Sequence, residues 1–139
     1  MRQQLIVDTG PIVAWLDRSD QWHSIAVEAT KVHEAPFRTN EPVLAEACFL
    51  LRHHPKAIAR LGKWLNSGIL EIPFQLEDHA DRVFALMHKY RDLPMSLADA
   101  SLVRMVELNL GTRLYTFDQH FRIYRDEKRR QIPLLEQKS

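Results

Sequence analysis

The chain has 139 residues, 45% of them hydrophobic and 27% charged, with a formal net charge of +1. That is enough for a single domain spanning 1–139 with its own core and too little for two domains, and the balanced charge excludes nucleic-acid recognition by bulk charge alone. The lone cysteine, Cys48, excludes an internal disulfide, and no Cys/His spacing suits a zinc site, which leads us to expect a reducing, cytoplasmic setting.

Leu5-Ile6-Val7 is a short apolar run ended by Asp8-Thr9-Gly10-Pro11, the pattern of a strand, a turn and a helix start. It is too short for a signal-peptide core or a membrane span, so a soluble protein with no membrane partner is expected. Helical patterns follow over 11–17 and 22–33, then a brief strand over 37–39. Asn40 is a good N-cap, with Glu41 and Pro42 in the first turn and apolar periodicity over 43–51. A further helix runs from about 56 to 65 and stops near Asn66 and Gly68, followed by a strand over 69–72 and a long amphipathic helix over 76–90. Ser96 begins a helix reaching about 110, closed by Gly111; a strand over 113–116 leads to Asp118, and 132–135 reads as a last short strand or extended edge. Strands alternating with helices predict an α/β fold with a mostly parallel sheet, because parallel neighbours need a crossover. Ligands in such sheets bind beyond the carboxyl ends of the strands.

Asp8 and Asp118 both follow strands and so stand at that end, although an Asp between strand and helix is commonly just a cap. Asp99 shares a helical face with Leu102, Val103 and Val106, the stripe that should meet the core. Ser96-x-x-Asp99 also has the form of a capping box, which explains an acid in the first turn but not its inward face. Glu46 flanks the apolar stripe of Val43 and Leu50. Gathered together, four carboxylates repel one another and some protonate unless a cation sits among them. Oxygen donors of this kind suit Mg²⁺ or Mn²⁺, and such a site can activate water against a phosphodiester. Glycine is scarce and no Gly-rich phosphate loop is present.

Four segments carry a resemblance: Leu5-Ile6-Val7-Asp8-Thr9; Thr39 through Glu46; Leu93-Pro94-Met95-Ser96-Leu97-Ala98-Asp99-Ala100; and Leu114 through Phe121. In this order the chain resembles PIN-domain nucleases, and among them the toxin ribonucleases of VapBC-type toxin–antitoxin modules. The resemblance implies a three-layer α/β/α sandwich and Mg²⁺- or Mn²⁺-dependent endonucleolytic cleavage of single-stranded RNA. It also implies an antitoxin protein partner and a homodimer. Asp8, Glu46, Asp99 and Asp118 match the family's acidic positions, as catalytic and metal-holding residues, and Thr9 and Thr116 match hydroxyl positions that support them. The last motif, Thr-Phe-Asp-Gln-His-Phe, departs from the commoner form in which a charged pair follows the acid.

His120, two residues beyond Asp118, is the histidine placed best to touch substrate, while His53 and His54 read as closing a helix. Trp15, Trp22 and Trp64 read as packing residues, and no pattern clusters them with the acids. Arg122, Arg125, Lys128, Arg129 and Arg130 form a basic stretch able to bind flanking phosphates if it rims the site. Two other readings stand beside the ribonuclease: a Mg²⁺-dependent phosphatase, which usually needs a lysine near the acids, and a non-catalytic RNA-binding or protein-interaction module, for which the acids would be dispensable.

Overall fold

Leu5, Ile6 and Val7 are each fully buried, so both faces of the first strand, β1 (Leu5–Val7), are covered. Burial of three such side chains contributes about 1.5–3 kcal/mol each, and a run without polar alternation suits a sheet with helices on both sides. The computed structural model describes residues 4–136, so the expected span of 1–139 extends past the described residues at both ends. β2 (Phe37–Arg38), β3 (Leu70–Glu71) and β4 (Arg113–Tyr115) complete a four-stranded sheet in the order β3-β2-β1-β4. Every neighbouring pair is parallel, with Leu5 opposite Arg113, Ile6 opposite Leu114 and Val7 opposite Tyr115.

Helices make each crossover. α1 (Thr9–Leu16) and α2 (His23–Val32) link β1 to β2; α3 (Glu41–Leu50) and α4 (Pro55–Ser67) link β2 to β3; α5 (Ala80–Lys89) and α6 (Leu97–Leu108) link β3 to β4. The caps are those the sequence announced. The Asn40 side chain accepts from the Val43 amide at 2.9 Å, and α4 ends at Gly68, whose φ of 81° favours glycine. α5 and α6 are clamped where Glu107, 8% exposed, accepts two bonds from Arg82 at 3.0 and 2.6 Å and one from Arg104 at 3.3 Å.

Two expectations are corrected and one open alternative is decided. The helix expected over 76–90 divides into a 3-10 turn (Leu76–His79) and α5, because His79 is held by tertiary contacts: it stacks on Phe74 and accepts from Arg104 at 3.1 Å. Of the two forms expected for 132–135, the extended edge is the one found: Leu134 makes an isolated parallel bridge with Leu114, and Pro133 has no N–H to extend a ladder. His53 and His54 lie in the turn between α3 and α4, where His54 occupies the N-cap of α4 and faces Asp17 at 4.0 Å. No helix among the described residues is long and apolar enough to cross a membrane.

Strand order reverses between β1 and β4: the chain builds outward through β2 and β3, then returns to β1's other edge. The loops leaving β1 and β4 therefore diverge and open a crevice at the carboxyl end of the sheet. Asp8 and Asp118 follow those two strands.

Candidate active site

Asp8 is fixed from both oxygens. Oδ1 accepts from the Thr9 amide at 2.7 Å as the N-cap of α1, and Oδ2 accepts from the Thr116 hydroxyl at 2.7 Å. The backbone ties the same two loops together, because the Asp8 amide donates to the Tyr115 carbonyl at 2.9 Å. Thr116 Oγ1 in turn accepts from the Asp118 amide at 3.0 Å, so one hydroxyl locks Asp8 to the start of the Asp118 loop. The Thr9 hydroxyl donates to Glu46 Oε2 at 2.9 Å and draws that carboxylate from exposed α3 toward Asp8. Both threonine hydroxyls thus donate to acids of the set.

Asp99 enters from the first turn of α6. The capping box is complete: Asp99 N donates to Ser96 Oγ at 3.0 Å, and Ser96 N donates to Asp99 Oδ2 at 3.3 Å. Cap and inward position are therefore not alternatives; the half-buried carboxylate serves the box and still reaches the crevice. Tyr124, fully buried, donates its hydroxyl to Asp99 Oδ2 at 3.2 Å. Asp118 Oδ1 accepts from the His120 amide at 2.9 Å and lies 3.2 Å from His120 Nδ1. His120 thus touches an acid directly.

The four acids share one field. Burial is the main cause that lifts the Asp8 carboxyl to about 6; the Thr116 and Thr9 hydrogen bonds oppose the shift, and the charges of Asp99 and Glu46 add to it. Asp99 is likewise raised by burial, with Asp118 adding repulsion. The Tyr124 phenol is driven far above its usual value by burial and by the charge of Asp99, then of Asp118 and Asp8, so it stays a donor throughout the accessible pH range. Among the described residues no Lys or Arg forms an ion pair with any of the four.

The structure thus brings Asp8, Glu46, Asp99 and Asp118 to one crevice with Thr9, Thr116 and His120. It does not close them into a cage: no group of three or more His, Cys, Asp or Glu among the described residues is arranged to hold a metal by itself. Each acid is held by its own donor. The donor chemistry nonetheless fits a hard divalent cation, with carboxylate oxygens, two acids raised by burial and, among the described residues, no Lys or Arg paired with the set. Mg²⁺ commonly binds in this way, through few carboxylates with water and substrate oxygens completing the shell.

Two features escaped sequence reasoning. Tyr124 lies 25 residues beyond Asp99 and no motif marks it. Trp22, expected to pack, forms an aromatic pair with Phe117 at 5.6 Å beside Asp118. The basic stretch is partly consumed by its own loop: Arg125 donates to the carbonyls of Arg122, Ile123 and Tyr124, and Arg130 pairs with Asp126 at 2.8 Å.

A family model described as the PIN domain matches residues 5–127. The chain belongs to the PIN-domain family. The match runs from β1 through Tyr124, so all four acids of this PIN domain fall within it. Its fold is also that of a solved structure, the Mycobacterium tuberculosis toxin VapC20, described as cleaving the sarcin–ricin loop. The two chains share 20% identity with a TM-score of 0.73, covering 84% of this chain and 91% of VapC20. No curated protein matches the sequence.

Proposed function

We propose that this PIN domain is a divalent-metal-dependent endoribonuclease, the toxin of a toxin–antitoxin pair, acting on single-stranded RNA. The observation that supports the reading most is the convergence of four carboxylates at the switch point of the sheet, two of them raised by burial and none ion-paired with Lys or Arg. A structural cluster of acids costs stability, whereas a cation turns that cost into binding affinity. The fold of a loop-cleaving toxin points the same way.

Asp8, Glu46, Asp99 and Asp118 would hold Mg²⁺ or Mn²⁺, which when bound supplies Lewis acidity toward a phosphodiester and lowers the pKa of water. The chain's own part is orientation. Thr116 and the Thr9 amide fix both oxygens of Asp8, Thr9 aims Glu46, and Tyr124 with Ser96 fixes Asp99. A rotamer locked in this way need not be ordered when substrate arrives, and geometry held in advance is where such sites gain rate. His120 sits on the Asp118 arm, within reach of substrate. An antitoxin and a second copy of the chain are the proposed protein partners, and the cytoplasm the proposed setting.

The test is cleavage of a defined RNA with and without Mg²⁺ or Mn²⁺. Asp8→Asn and Asp99→Asn should each abolish cutting while leaving a cooperatively folded protein. If both variants cut at the parental rate, the carboxylate assignment fails. Expression of the chain alone should slow growth and a cognate partner should relieve it; harmless expression would remove the toxin reading and leave the nuclease one.

A further inference from the structure

We propose that the cleft beside Asp118 binds one base of the single-stranded RNA, with Trp22 and Phe117 as its stacking surface; the inference rests on the ribonuclease reading above. Trp22, Thr116, Phe117, Asp118, Gln119 and Arg122 line most of a cavity of about 240 Å³. Thr116 and Asp118 belong to the carboxylate network, so the cavity continues the active site.

The aromatic wall is built. Phe117 meets Tyr115 edge-on at 5.4 Å and 87°, and its ring lies where a side chain on Gly10 would stand, a Cβ there falling 2.9 Å from Phe117 Cδ2. Trp22 is held at the start of α2, its amide donating to Asp20 Oδ1 at 2.8 Å, yet it remains 41% exposed. Trp15, by contrast, is covered at 6%. The two rings are 5.6 Å apart and tilted by 36°, which leaves no room for a base between them. A base therefore stacks on the side of the pair that faces the cavity.

Charge selects the base over the phosphate. Asp118 and Glu136 are the acidic residues of the lining, and the guanidinium of Arg122 is bound to Gln119 Oε1 at 2.9 Å and Glu136 Oε2 at 3.1 Å. A phosphate would meet two anions and one engaged cation. A neutral ring with polar edges meets π faces and hydrogen-bonding groups, the combination that proteins use on unpaired bases. A base inside a duplex cannot offer its face, so the cleft also accounts for a single-stranded substrate.

The experiment compares the parent, Trp22→Ala and Trp22→Phe on one defined single-stranded RNA with Mn²⁺, and then on the same RNA carrying a single abasic position moved along it. Loss of one stacked base should raise KM about 5- to 150-fold in Trp22→Ala with kcat changed less than about threefold. Trp22→Phe should recover most of the affinity. The parent should discriminate against one abasic position next to the cut, and Trp22→Ala should not. A parent that cuts RNA while Trp22→Ala keeps its KM and every abasic RNA is cut alike overturns the base site and leaves the ribonuclease intact; a cleft reserved for a protein partner gives that result. A parent that cuts no RNA with either metal overturns both.

Discussion

Replacing Asp8 by asparagine separates what this carboxylate costs the fold from what it gives to function. In the folded chain its pKa is about 6 against an ordinary 3.8. Between those values the unfolded chain releases a proton that the folded one keeps, so stability falls as pH rises through the window and the full penalty is present above about pH 6. The difference of about two pH units corresponds to about 3 kcal/mol. Asparagine removes that penalty, and its Oδ1 still accepts from the Thr9 amide. Its amide nitrogen cannot accept from Thr116 as Oδ2 does, however, and one lost hydrogen bond costs about 1 kcal/mol. Metal-free Asp8→Asn should therefore be more stable than the parent at pH 7.5 by about 2 kcal/mol, or about 8 °C in Tm for a domain of this size. At pH 4 the advantage should vanish. Urea and thermal denaturation with a chelator present, at both pH values, measure it. Mn²⁺ should then stabilise the parent far more than the variant, since only a ligand that prefers the folded state shifts the transition. A variant no more stable than the parent at pH 7.5, or equally favoured at both pH values, would refute the argument that burial makes Asp8 a latent charge waiting for a cation.

Tyr124→Phe removes the donor on Asp99 Oδ2 and keeps the buried ring; isothermal titration should show Mn²⁺ affinity lowered about fivefold with Tm changed by only a few degrees. Glu107→Ala strands Arg82 and Arg104 at the junction of α5 and α6 and should cost about 3 kcal/mol in urea denaturation, with the metal affinity of the folded protein unchanged. Gly10→Ala gains helix propensity but drives a methyl against Phe117; the clash should win, lowering Tm by several degrees and changing Trp22 fluorescence. Raising salt from 50 to 200 mM should raise KM for RNA in the parent, because phosphate contacts release counterions.

Much of the architecture is written in short stretches of the chain. The apolar triplet Leu5-Ile6-Val7, the Asn40 cap and the Ser96–Asp99 box are local signals, read over a few residues, and each sits in the structure where its chemistry requires. The parallel sheet followed from alternation of strand and helix, and its carboxyl end as the place for a ligand followed in turn, so Asp8 and Asp118 were legible as candidates before any coordinate. Which donors hold them emerges only once the chain is folded. Tyr124 and Asp99, Thr9 and Glu46, and Trp22 and Phe117 are joined across 25, 37 and 95 residues, and no period or cap encodes such pairings. The break at His79 has the same origin, because a contact from a distant segment outweighs local preference wherever that preference is worth less than a single hydrogen bond.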